Sequence, residues 1–278
     1  MQGIARACAV AFLVARASAA AADGGPPPVV VQGAMPIEVD KLASRLDGVT
    51  VETVGAWTFW RCTLDGRPVV VSKTLKGGAN AAAATALAVE RFHPVAIHNQ
   101  GTAGGHDPAL RVFDVVLGAS AVSLGAFKSP YRSAGAGSAP LDWVPLALTA
   151  TEGSAGNDPR AHTVARFAGD EALLAAARRA APTYKRGRVV EGVIGSSDSW
   201  NSEIDLIASY RSRFGTSVEE METAPAAQIA ALLKVPFLGI RVVSNNITNA
   251  GGYDSGAAEA CEDYVYEVVR AYLRTLPP

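Results

Sequence analysis

The chain has 278 residues, 49% hydrophobic and 18% charged, enough for one sizeable core, since α/β domains often run to ~250 residues. Its formal net charge is −1 and it holds no basic run, which argues against a nucleic-acid or polyanion partner. No internal repeat divides it.

The first residues, "MQGIARACAVAFLVARASAAAADGGPPP", place Arg6 before an apolar run from Ala7 to Ala15 and then small residues. That is the order of a secretory leader: charged start, short apolar centre, A-x-A-like cleavage site. The run is shorter than the ~20 residues a membrane span needs. We therefore expect a signal peptide over 1–22, a Pro/Gly linker over 23–28, and export of the remaining domain to the periplasm or the medium. Arg16, near the end of the apolar stretch, runs against the pattern. Cys8 would leave with the leader, while Cys62 and Cys261 stay. An oxidising compartment permits a disulfide, but nothing in the sequence brings these two together, and two buried free thiols are expected.

"PPVVVQGAMPIEVDKLASRL" reads as strand, glycine turn and helix, with Val39, Leu42, Ala43 and Leu46 at helical spacing. "VETVGAWTFWRCTLDGRPVVVSKT" reads as strands joined by the turn "DGRP". "GGANAAAATALAVERF" is a helix of small residues, "HPVAIHNQGTAGG" a strand followed by a glycine-rich turn, and "LRVFDVVLGASAV" another strand. From 124 to 166 the chain is Gly/Ser/Ala/Pro-rich and aperiodic, a variable surface segment beside a site. Helix, strand and helix follow in "DEALLAAARRAAP", "GRVVEGVIGSSD" and "NSEIDLIASYRSRF". "TSVEEME" ends a strand, "TAPAAQIAALLKV" is a helix, "PFLGIRVVSN" a buried strand and "GAAEACEDYVYEVVRAYLRTL" a closing amphipathic helix. The alternation predicts one α/β domain over 29–278, its sheet covered on both faces.

Function in such folds gathers where strands end. Four strand ends here are unusually polar or glycine-rich: "GAMPIEVD", "NQGTAGG", "SVEEMETA" and "IRVVSNN". In that order and spacing they resemble the nucleoside phosphorylase/nucleosidase superfamily, on the side of the 5′-methylthioadenosine/S-adenosylhomocysteine nucleosidases. The resemblance covers Val29 to the C-terminus, with 124–166 only loosely matched. It implies a three-layer α/β/α fold with a central mixed sheet, a homodimer, and hydrolysis of a purine N-glycosidic bond with water and no cofactor.

Cleaving that bond builds positive charge on the ribose, so it calls for a carboxylate that activates water, groups that grip the hydroxyls, and hydrogen bonds to the leaving base. The resemblance assigns the water-activating role to Glu38, which by itself would read as a first-turn glutamate favoured by the helix dipole. Glu222 matches the acceptor of the ribose hydroxyls, since a carboxylate takes two hydrogen bonds from a diol. Met221 matches the residue lining sugar and base, with Glu220 beside it. The plainer reading of this stretch is a helix start, with Thr223 as N-cap and Pro225 in the first turn. Thr74 stands where the family has a serine near the water. Gly104, within "GTAGG", allows close backbone approach to the ligand. Arg241 matches an arginine that fixes the carboxylates and water, or else pairs structurally at a strand end. Trp200 takes the place of an aromatic stacked on the base.

Asn245, after Ser244, is the departure that matters most, because the hydrolases carry an aspartate there that protonates the base. An amide does not titrate, but it can donate to N7 or to a 6-oxo group. The substrate expected is therefore a methylthioadenosine-like or a 6-oxopurine nucleoside. Two rivals stay open: a phosphate-dependent phosphorylase, weakened because "GAMPIE" and "GGAN" lack arginine and Lys76 is the nearby cation, and a non-catalytic nucleoside-binding protein. His93, His98, His106 and His162 have no metal-like spacing, and "GSSD" is no nucleophile elbow.

Overall fold

The computed structural model describes residues 25–149 and 162–277. The expected leader, and the centre of the 124–166 segment, lie outside them. In chain order the elements are β1 (Val29–Gly33), α1 (Asp40–Ser44), β2 (Asp47–Val54), β3 (Trp57–Leu64), β4 (Arg67–Lys73), α2 (Gly78–Phe92), β5 (Ala96–Gly105) and β6 (Val115–Ser123). Five two-residue strands follow: β7 (Phe127–Lys128), β8 (Val144–Pro145), β9 (Leu148–Thr149), β10 (Thr163–Val164) and β11 (Phe167–Ala168). The chain closes with α3 (Glu171–Ala180), β12 (Val189–Ser196), α4 (Ile204–Phe214), β13 (Thr216–Glu220), α5 (Thr223–Leu232), β14 (Phe237–Asn245) and α6 (Gly256–Leu273).

The central sheet is mixed and runs β11-β6-β12-β13-β5-β1-β4-β3-β2. Strand β14 pairs in parallel with β5 and antiparallel with β6, so β6, β12, β13, β5 and β14 close into a ring. Ala103, Val116, Ile194, Val218 and Val243 pack together as a small core of these ring strands. Beside the ring the sheet stays open, and its strands are apolar on both faces. Val29 and Val31 join the core under α1, α3 and α6, while Val30 joins the core under α2 and α5. That double burial is why "VVV" shows no alternation in the sequence.

Two local readings change. "GTAGG" is not a turn: Gly101–Gly105 is the second half of β5, laddered to β14 and β13. Helix α1 is only five residues, because Asp47 already starts β2, although Val39, Leu42, Ala43 and Leu46 are buried as their spacing requires. Cys62 and Cys261 are both free and buried, and burial pushes each thiol up to about 12. His98, mid-β5, is wholly buried with neither ring nitrogen hydrogen-bonded, and that burial lowers it to about 4.

Candidate active site

Glu38 ends a 3-10 turn, Pro36–Glu38, directly after β1, and is 4% exposed. The turn folds tightly because Gly33 lacks a side chain; a β-carbon there would lie 2.6 Å from Val39 Cγ1. Glu38 Oε2 accepts the amides of Ala34 and Met35 at 3.0 and 3.2 Å. Its Oε1 accepts the Thr102 amide at 3.0 Å and the Thr102 hydroxyl at 3.2 Å. A β-carbon at Gly101 would come within 2.7 Å of Oε1, so the bare backbone of β5 makes room for this carboxylate.

The end of β13 supplies three glutamates with three different environments. Glu220 turns inward, where its carboxylate accepts the amides of Glu222 and Thr223 at 3.0 Å, the Ser196 hydroxyl, and Arg241 Nε at 3.0 Å. Its carboxylate thus takes free amides at the start of helix α5, whose N-cap is Glu222; Thr223, expected there, lies inside the helix and its hydroxyl has no partner. Arg241 also donates to the carbonyl and the side chain of Asn99, at 2.8 and 2.6 Å. Both side chains of this ion pair are nearly inaccessible, at 2% and 3% exposure.

Glu222 faces the cavity. Its Oε1 accepts the Gly77 amide at 2.7 Å, from a loop where Gly77 adopts φ +99°, a conformation glycine takes without strain. Burial, and then the Glu220 carboxylate beside it, push Glu222 up to about 8, against the opposing pull of Gly77 and Arg241. At β14 the Ser244 hydroxyl donates to Ala103 O at 3.3 Å or to Asn245 Oδ1 at 3.1 Å, which leaves Asn245 Nδ2 as that amide's donor.

These elements enclose a cavity of about 230 Å³. Glu38, Gly104, Trp200, Glu220, Met221, Glu222, Ser244 and Asn245 all line it. Thr74 and Arg241 do not. Thr74 is fully buried, its hydroxyl 3.3 Å from Gly33 O and 3.2 Å from Leu75 O, and it fastens the loop instead of reaching a water. Arg241 sits behind Glu220. Trp200, 78% exposed, stands at the mouth.

The wall also holds groups that motif reading passed over. Thr102 binds Glu38, and His106 pairs with Glu219, Nε2 to Oε2, at 2.8 Å. Thr102 and Glu219 lie inside the quoted motifs, so their position was the available signal; His106 follows "GTAGG" directly and is drawn in only by the strand continuing through the glycines. No cluster of metal-binding side chains occurs among the described residues, and no described helix is long and apolar enough to cross a membrane. Chemically, the cavity offers four carboxylates, Glu220 tied up by Arg241, together with the amide donor of Asn245.

A family model described as the phosphorylase superfamily matches residues 28–274. The chain is 32% identical, over 222 residues, to a 5′-methylthioadenosine/S-adenosylhomocysteine nucleosidase of Bacillus cereus (strain G9842), covering 78% of this chain and 85% of that protein. The crystal structure of the nucleosidase of the same name from Neisseria meningitidis, in complex with methylthio-immucillin-A, superposes with a TM-score of 0.70 at 29% identity, over 88% of this chain and 99% of that one. Futalosine hydrolase of Helicobacter pylori strain 26695 shares the fold, with a TM-score of 0.70 at 19% identity over 88% and 97% of the two chains.

Proposed function

This chain belongs to the phosphorylase superfamily, and from that premise we propose that it is an N-ribosyl hydrolase, releasing the base of a purine nucleoside to water. The observation that carries the reading is the convergence of Glu38 and Glu222 on one cavity shared with Met221, Trp200 and Asn245. Glu222, once ionised, accepts the two ribose hydroxyls, and Met221 covers the sugar. Glu38 draws a proton from the attacking water as positive charge builds on the ring. A carboxylate has about four acceptor positions, and four protein donors fill those of Glu38. Water therefore displaces one donor, and the Thr102 hydroxyl is the one free to rotate away. Asn245 hydrogen-bonds the departing base at N7 or a 6-oxo group, and Trp200 stacks on it.

The test is a panel of methylthioadenosine-like and 6-oxopurine nucleosides assayed for free base in phosphate-free buffer. Release from at least one supports the reading, and release from none overturns it. Lys76 is the only Lys or Arg among the described lining residues, which favours water over phosphate as nucleophile. Strict phosphate dependence would reverse that choice. Asn245 is the observation that favours a non-catalytic binder, which would show as tight binding of inosine or methylthioadenosine with no base released.

The same reading extends to setting and assembly. The leader-like residues 1–22 support export of the enzyme. Trp200, Ile247 and Tyr253 line the cavity and are 78%, 39% and 64% exposed. A second copy covering them would make a homodimer, which sedimentation velocity reads directly.

A further inference from the structure

Glu262 is a buried carboxylate that the reaction above leaves unused. It lies on α6 and is 1% exposed. Its Oε2 accepts the amide of Leu42, at 2.6 Å. Leu42 is the third residue of α1, so its amide is one of the donors a helix leaves without an internal partner at its start. The N-cap, Val39, has no side-chain acceptor to meet them. The acceptor comes instead from the far end of the chain.

The placement matters because Val39 serves two turns. It closes the 3-10 turn that ends in Glu38, and it opens α1. Fixing the first turn of α1 therefore fixes the backbone that aims Glu38. Helix α1 has little hold of its own, since five residues are too few for a helix to stand unaided. Its outer side meets α6 through exposed pairs, Lys41 to Asp263 at 2.8 Å and Arg45 to Asp263 at 2.9 Å, and such pairs are worth little in water. From the sheet side, Gln100 Nε2 donates to the Glu38 carbonyl. Glu262 supplies the buried tie from α6, as Gln100 supplies one from β5.

This tie works against stability. Burial pushes the Glu262 carboxyl up to about 7, against the opposing pull of the Leu42 amide and Lys41. A buried charge is a poor way to hold two helices together, where an apolar side chain of similar volume often does as well. An apolar side chain cannot, however, accept an amide and set where α1 begins.

We propose that Glu262 is a positioning residue: by holding the Leu42 amide it locks the turn that points Glu38 at the attacking water. The role rests on the nucleosidase reading and adds to it a residue that never touches the nucleoside. Met221, Glu222, Trp200 and Asn245, which that reading assigns to the nucleoside, lie outside α1 and its turn. Loosening the tie therefore lowers turnover and spares affinity.

The test is steady-state kinetics beside calorimetric binding on the full protein as E262Q, E262M, E262D and D263N, with a nucleoside that wild type cleaves. E262Q keeps an acceptor of the same reach and keeps the wild-type kcat. E262M fills the space with no acceptor, and kcat falls roughly 10- to 100-fold, the scale of a misplacement of about 1 Å. KM and affinity stay at their wild-type values, the mark of a loss confined to the transition state. E262D draws the acceptor back by one methylene and falls between the two, which decides the matter should E262M not fold. D263N cuts the exposed pairs on the same helix contact and keeps the wild-type kcat. Wild-type turnover in E262M and E262D, a loss carried by KM alone, or an equal loss in D263N overturns this inference and leaves the nucleosidase reading standing. Wild type that releases base from no nucleoside overturns the reading itself.

Discussion

Individual residues carry the chemistry. Glu38→Gln keeps the shape of the side chain but cannot take a proton. Base release should fall by about 10²–10⁴-fold while nucleoside affinity stays close to wild type; steady-state kinetics beside calorimetric binding checks both. Glu222 is pushed up to about 8 by burial and by Glu220. Below that pH it is protonated in the free enzyme and accepts poorly from a diol. Nucleoside binding should therefore release a proton and tighten as pH rises from 7 to 8.5, which titrations in buffers of different ionisation enthalpy will show. His98 works in the opposite range. Its folded value is about 4 against 6.5 unfolded, so the unfolded chain binds more protons between those values. Stability is thus fully present above about pH 6.5 and is lost as pH falls toward 4, by about 3 kcal/mol. His98→Leu should flatten that acid limb in urea unfolding. That Glu38, Met221, Glu222 and Asn245 line one cavity was legible in the sequence because their motifs, at strand ends, resemble those of the nucleosidase family. The inward turn of Glu220 was not, since "EEMETA" does not say which of its three carboxylates takes the amides that open the next helix.

Among the elements, β13 and α5 depend on one buried pair. The Glu220 carboxylate takes the amides that open α5 and neutralises Arg241, whose other donors go to Asn99 on β5 and to the Ile240 carbonyl. Glu220→Ala strands a buried guanidinium and leaves those amides without their acceptor. A loss of about 3–5 kcal/mol is expected, read as a lower urea midpoint, with ligand binding weakened because β13 also carries Glu219 and leads into Glu222. Strand β5 shows where composition misleads. Glycines at 101, 104 and 105 look like a turn, yet the ladders from β14 and β13 hold them extended. They are small because neighbours need the space: a β-carbon at Gly105 would lie 2.5 Å from Asn246 Cγ, as one at Gly101 would crowd Glu38. Periodicity found the long helices α2, α3, α4 and α6 because each packs one side on the sheet. It could not find β7 to β11, two residues each, which are too short to show any period.

At the scale of the molecule, alternation of strands and helices foretold a sheet covered on both faces, and the valine runs of β1 and β4 do divide between the two cores on either side of it. The ring formed by β14 returning to β6 was hidden, because it depends on pairings between segments far apart in the chain. Burial of both described cysteines gives a whole-molecule prediction. In the native protein both should be inert to a thiol reagent and both should react on unfolding; a disulfide between Cys62 and Cys261 would leave neither reactive. The central position of β5 has a consequence in time. Its last residue, Gly105, is synthesised well before Phe237, where its partner β14 begins, and at ~5–20 residues per second that interval is roughly 7 to 26 s. Throughout it the nascent strand that will carry Thr102 and Gly104 lacks its longest partner, and a ribosome that stops before Phe237 leaves a chain whose ring cannot close and whose cavity lacks the wall of Ser244 and Asn245.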